Sequence, residues 1–435
     1  MSGLPVELAE VARSASEELA RHRLRSEIFA RSGEIRGLRW QKGVWERRST
    51  RELGAACRIA GRGQVGFAAA SGSAARAGRE AVRAALANLA PGPDPLPPRR
   101  VLGEAILPAP PRLPAPGEHE ELARTLVRAL AARPGGIELL ELRLVVGAAR
   151  AVLVTGEGFA GQFSSGGMVM ELLLAPPAGP LRLLHRAACH PGDLDVDWLA
   201  AEACERVSRL ASGGPPRRRL ADTLLAPAVA APLVAALALW LRGQGGRAPD
   251  LLTRRLRISP RWALHDDRVG PAGLAHQPFD GEGLPSRRLV LIAGGRLCER
   301  WASWQEAQEQ GIPAGGAVRP SFREPPAGGP ANLAVLATPA RPAGSLLCEL
   351  ESGFALDLPA GEVPVDHDTG SFSLHAAALA IAGGQVAASH PLVELRGSFR
   401  RLLSGLAATG DDPASFSLAC AVTTPSLLFR RLEIA

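Results

Sequence analysis

Glu34-Ile35-Arg36-Gly37-Leu38-Arg39-Trp40-Gln41-Lys42-Gly43-Val44-Trp45-Glu46 is the stretch on which the reading of the fold turns. Ile35, Leu38, Trp40, Val44 and Trp45 recur among polar residues as in extended chain, and Gly43 suits a turn. Downstream, Leu53 to Ala60 predicts a second strand and Gln64 to Ala68 a third. Upstream, Pro5 to Ala30 predicts a helix whose apolar stripe carries Leu8, Val11, Leu19 and Ile28. Ser73 is placed to cap a further helix from Ala74 to Leu89. The first 95 residues thus form a helix, antiparallel strands, helix unit.

A connector over residues 96–117 follows, crowded with prolines such as Pro97, Pro98, Pro110 and Pro111. Residues 118–213 repeat the order of the first unit. A helix (Glu118 to Ala132) leads to strands at Ile137 to Val146, Ala151 to Thr155, Met168 to Leu174 and Leu181 to Ala188, and a helix from Asp195 to Leu210 closes it. Beyond the Gly213-Gly214-Pro215-Pro216 break, residues 214–435 open with an apolar helix over Thr223 to Leu241. Short apolar runs then alternate with Gly, Pro and Asp clusters, for example Leu289 to Ile292, Leu333 to Leu336, Gly353 to Leu356 and Phe372 to Leu374. The fold class is α+β: two α/β units, then a large, mostly antiparallel β-rich C-terminal domain.

At 435 residues with 46% hydrophobic and 21% charged residues, the chain suits two or three packed domains and excludes a disordered polypeptide. Tyr is absent and Lys occurs only at Lys42, so the formal charge of +7 is almost wholly Arg, a skew of the kind that GC-rich coding imposes. The basic residues are scattered and no aromatic interleaving accompanies them, so no nucleic-acid partner is expected. Six cysteines without a CxxC pair suit reduced thiols, and the N-terminus shows no basic region followed by an apolar core, so a cytoplasmic location is expected. Leu224 to Leu241 carries no charge, but Pro227 and Pro232 interrupt it and much of it is Ala; a buried helix is expected, not a membrane span.

The stretch His265-Asp266-Asp267-Arg268-Val269-Gly270, then Phe279-Asp280-Gly281-Glu282-Gly283-Leu284-Pro285, then Leu289 to Gly295 resembles the TldD/PmbA family in its acidic run, strand and glycine turn. Ala331-Asn332-Leu333, Thr369-Gly370-Ser371-Phe372-Ser373 and Gly383-Gly384-Gln385-Val386 with His390-Pro391-Leu392 are similar to later family motifs, in the same order. Gly54 to Phe67 resembles the family's glycine- and arginine-bearing strand pair. D-type members of the family carry HExxxH on a helix opening the last domain. There two His on one helical face hold Zn²⁺ while the Glu acts as general base, and a later Cys completes the site. The corresponding helix here, Leu224 to Leu237, contains no His, Glu or Cys, and Ser417-Leu418-Ala419-Cys420-Ala421 replaces the D-type cysteine motif.

Other chemistry-bearing groupings have simpler readings. Gly61-Arg62-Gly63-Gln64-Val65-Gly66 matches GxGxxG, but a strand follows it where a dinucleotide site needs a helix, so a hairpin turn is expected. His185, Cys189 and His190 group three potential metal ligands on what reads as a strand. Asp366-His367-Asp368 and His265-Asp266-Asp267 invite acid–base or metal chemistry, yet both fit turns. Asp280 and Glu282 are expected to be structural. Ser164-Ser165-Gly166-Gly167 reads as a flexible loop, not an activated serine.

The resemblance implies the non-catalytic, E-type subunit of a metallopeptidase complex, partnered by a HExxxH-bearing D-type subunit around a peptide-processing chamber. It implies no catalytic, cofactor-binding or metal residues in this chain, with zinc in the partner. Two alternatives stay open: a stand-alone hydrolase built on His265, Asp266, Asp267 or Asp366, His367, Asp368, and a homodimeric peptide-binding scaffold.

Overall fold

A computed structural model describes residues 6–98, 116–133, 136–177, 180–188, 193–209, 213–214, 216–217, 219–243, 256–270, 274–337 and 339–435. Most of the proline-rich connector, together with Cys189 and His190, lies outside the described residues.

The N-terminal half runs α1 (Val6–Leu19), β1 (Arg25–Gln41), β2 (Val44–Gly61), β3 (Gln64–Ser71), α2 (Ala74–Ala87), β4 (Ala90–Pro91), α3 (Pro116–Ala131), β5 (Glu138–Thr155), β6 (Ala160–Ala175), β7 (Arg182–Ala188) and α4 (Val196–Arg209). Its strands form one seven-stranded antiparallel sheet in the order β4-β3-β2-β1-β5-β6-β7. The two units meet where β1 pairs β5, from Glu27↔Thr155 to Gln41↔Glu141. Lys42 and Gly43 take positive φ at the β1–β2 turn, where Trp40 faces Trp45 across the hairpin.

Helices cover one face of this sheet. Leu8, Val11 and Val82 of α1 and α2 pack on Ile28, Ala30, Cys57 and Ile59, while Leu126, Leu199 and Val207 of α3 and α4 pack near Leu144, Val146, Met170 and Leu172. The first helix is shorter than its sequence predicts. It stops at Leu19, and Ile28 belongs to β1. Ser26 to Ala30 are buried on both faces of the sheet, so they lack the alternation that marks a half-exposed strand. Likewise the two strands expected at Ile137–Val146 and Ala151–Thr155 merge into one, β5, which starts at Glu138 and runs unbroken through Gly147-Ala148-Ala149-Arg150. Ser164 to Gly167, expected in a loop, lie inside β6.

The C-terminal domain runs β8 (Arg219–Leu225), α5 (Pro227–Arg242), β9 (Leu264–Asp267), β10 (Arg288–Ala293), β11 (Arg296–Leu297), α6 (Trp304–Gln310), β12 (Ala317–Val318), β13 (Ala327–Gly328), β14 (Asn332–Val335), β15 (Ala340–Arg341), α7 (Ala343–Cys348), β16 (Ser352–Ala360), β17 (Ser371–Ala382), β18 (Gln385–Ser398), α8 (Phe399–Gly405), β19 (Leu406–Gly410), β20 (Ala414–Ser417), β21 (Ala421–Thr424) and β22 (Leu427–Ile434). β9, β10, β11, β14, β20 and β21 form one sheet. In the other large sheet β8 pairs both β16 and β22, so β8, β16, β17, β18 and β22 close into a ring. The domain is β-rich and mostly antiparallel, with parallel pairs at β8–β16, β14–β21 and β15–β19. The apolar segment splits: Leu224 and Leu225 end β8, and the helix starts at Pro227, which occupies its first turn where no amide donor is needed. No helix among the described residues is long and apolar enough to cross a membrane.

Candidate functional site

α5 lies at the centre of the C-terminal core. Val229, Ala230, Ala231, Leu233, Val234, Leu237, Ala238 and Trp240 are all buried, packed with Trp262, Phe354, Phe399 and Phe429. Hydrocarbon side chains there can neither donate electron pairs nor move protons. Cys420 is buried, and desolvation, with Asp266 nearby, pushes its thiol up to about 12; a ligand thiolate needs the opposite shift. Among the described residues no three His, Cys, Asp or Glu side chains gather as metal donors. The described residues of α5, together with Cys420, do not make a metal-donor set.

The sequence-derived candidates separate in space. His265, Asp266 and Asp267 form strand β9 and not the expected turn, because both neighbours, β10 and β14, claim the backbone of this segment. The fully buried Asp266 carboxylate accepts from Trp301 Nε1 (2.8 Å), the Asn332 amide (2.7 Å) and Arg268 Nη2 (3.1 Å). Arg268 also donates to the carbonyls of Gly316, Ala317 and Gly329. Asp267 caps the following turn through the Gly270 amide (2.8 Å) and pairs with Arg288. Every oxygen is spent on holding loops, and burial lowers the His265 pKa.

Asp366, His367 and Asp368 do form a turn, in the connection between β16 and β17. The exposed Asp366 carboxylate accepts from the amides of Asp368 (2.9 Å) and Thr369 (3.1 Å), and these bonds lower its pKa. Gly61 to Gly66 make the β2–β3 hairpin, with Arg62 and Gly63 at positive φ and no helix following. His185 sits in β7 with Nδ1 3.7 Å from Glu171, whose pKa the imidazole lowers.

Asp280 and Glu282 are buried at the junction with the N-terminal sheet. Asp280 accepts from the amides of Glu282, Leu284 and Ala317, which shapes the Phe279–Pro285 turn; desolvation nonetheless raises its pKa. Glu282 reaches across to Arg58 Nη1 (2.9 Å), and Arg58 is bidentate with Glu27 (2.9 and 2.8 Å). Arg319 pairs with Glu27 from the other side. Beside these ions an aromatic contact seats the domain. Phe322 lies where a Cβ on Gly54 would be 2.0 Å away, and Phe279 lies 2.5 Å from the corresponding position on Gly161. Glycine is required at both places for close approach.

Beyond this junction the sheet face opposite the helices stays open. A cleft of about 640 Å³ has Gly33, Ile35, Gly147 and Ala149 on its floor and Leu274, Arg323 and Ser417 on the wall formed by the C-terminal domain. Ile35 and Val145 are 54% and 41% exposed, unusual for large apolar side chains in the middle of a sheet. Gly33, Gly37 and Gly147 have room for a Cβ, with the nearest chain atoms 3.5, 3.9 and 3.8 Å away, so internal packing does not demand glycine there. Sequence reasoning missed this surface; the signal available was the spacing of Gly33 and Gly37 in a strand otherwise rich in side chains.

Comparison with known proteins follows the architecture. Residues 250–435 match the model of the PmbA/TldA metallopeptidase C-terminal domain. TldE from Thermococcus kodakarensis superposes with a TM-score of 0.82 over 99% of this chain and 100% of its own, at 17% identity. A candidate modulator of a DNA gyrase from Thermotoga maritima gives 0.82 over 98% and 100%, at 16% identity, and one from Bacteroides thetaiotaomicron gives 0.77 over 99% of both chains, at 17%. No curated protein matches the sequence. The C-terminal part of this chain thus matches the PmbA/TldA metallopeptidase C-terminal domain, and the whole chain shares its fold with these three solved structures.

Proposed function

We propose that this chain is the E-type, non-catalytic subunit of a TldD/TldE-like metallopeptidase complex. The reading rests on one observation: α5, where a D-type subunit presents HExxxH, is a helix whose buried residues are all Ala, Val, Leu or Trp. The fold shared with a protein named TldE supports it. In this reading a HExxxH-bearing partner supplies zinc, general base and bond cleavage. This chain supplies the wall opposite: the cleft over Gly33, Ile35, Gly147 and Ala149 receives substrate peptide in extended form, because a flat floor of small residues lets a main chain lie close to the sheet. An obligate pairing of this kind buries well over ~1,000 Å².

Co-expression with a HExxxH-bearing neighbour tests the proposal. Co-purification, with peptidase activity in the mixture and none in this chain alone, is the expected result. Stoichiometric zinc and peptide cleavage by the isolated chain would overturn it and favour a stand-alone hydrolase.

A further inference from the structure

We propose that Glu282 is the release element of an ionic latch between the N-terminal sheet and the C-terminal domain, and that its proton state sets how firmly the segment Arg319 to Arg323 is pinned beside the cleft. The geometry is a four-membered cluster in which each side contributes one acid and one base. Glu27 and Arg58 come from β1 and β2; Glu282 and Arg319 come from loops of the C-terminal domain. All four side chains are at most 5% exposed. Arg319 also donates to the Gly281 carbonyl (2.6 Å) and stacks over the Phe29 ring at 4.8 Å. The next residues follow the same surface: Arg31 donates to the Pro320 carbonyl, Phe322 fills the seat at Gly54, and Arg323 pairs with Glu52 at the cleft wall (2.7 Å).

The charged groups facing Glu282 are Arg58 and Glu27 across the junction and Asp280 on its own turn, with Arg319 next to Glu27. Glu306 and Glu309 line an adjoining cavity of about 390 Å³ together with Arg58 and Glu282. Loss of water raises the Glu282 pKa from 4.5 to about 7, against the pull of Arg58. A carboxyl raised in this way binds its proton more tightly when the junction is closed than when it is open. Closure is therefore favoured at low pH and weakens as pH rises from 4.5 through about 7. The ionised carboxylate regains its hydration only when the two surfaces part.

Hydrogen–deuterium exchange on the full chain tests the latch. After correction for intrinsic exchange, protection of the amides at 279–284 and 317–323 should fall about tenfold between about pH 6 and about pH 8. In Glu282→Gln, which keeps the shape without the titration, protection should stay flat over that range while α5 behaves as in the unmodified protein. Unchanged protection across pH in the unmodified chain overturns the proposal, whether or not the variant folds. The same tenfold loss in a folded Glu282→Gln protein also overturns it, because another group would then carry the effect.

Discussion

Two buried regions of this molecule are held in opposite ways. The core around α5 is predominantly apolar, closed by Trp240, Phe399 and Phe429, and makes few directional demands. The junction around Arg58 buries four charges within a few ångströms of an aromatic plug, and each ion depends on a partner from the other side. Burying hydrocarbon stabilises roughly in proportion to area, whereas buried ions stabilise only while every partner is present. The first region can therefore sustain a domain, while the second fixes how that domain is oriented on the sheet.

Substitutions that break the comparison should differ in size and kind. Arg58→Ala leaves Glu27 and Glu282 buried with their main counter-charge gone and should cost about 3–5 kcal/mol in denaturant unfolding. Leu237→Ala in α5 should cost about 3 kcal/mol, as a cavity in a core that cannot fully collapse, with little effect on exchange at the junction. Gly54→Ala drives a methyl group into the Phe322 ring and should cost about 1–3 kcal/mol; combining it with Phe322→Leu should recover part of the loss. His367→Ala, in an exposed turn, should change stability by no more than about 0.5 kcal/mol and leave peptidase activity of the co-expressed mixture intact. A severe loss of that activity in a folded His367→Ala protein would move the chemistry into this chain and refute the E-type assignment.

What the sequence disclosed followed the range of the interactions. The Lys42-Gly43 and Arg62-Gly63 hairpins were legible because turn residues act on their own neighbours. The strands at Leu289, Leu333, Gly353 and Phe372 were legible from apolar runs between turn signals. Helix limits at Ile28 and Leu224 were misjudged because burial on both faces erases the periodicity that distinguishes helix from strand. The missing metal motif could be read directly, since ligands repeat within a few residues. The cleft and the latch could not. Arg58 and Glu282 are separated by 224 positions, and nothing in the local pattern of either announces the other.

The ring in the C-terminal domain also governs the order of assembly. Its seam joins β8, near residue 219, to β22, ending at Ile434, so loop closure over some two hundred residues must precede sealing. Until β22 arrives, β8 and β18 each present a bare edge to the surrounding solution, an invitation to pair with the wrong chain. A polypeptide cut short before Leu427 is thus expected to aggregate rather than to survive as a smaller working domain.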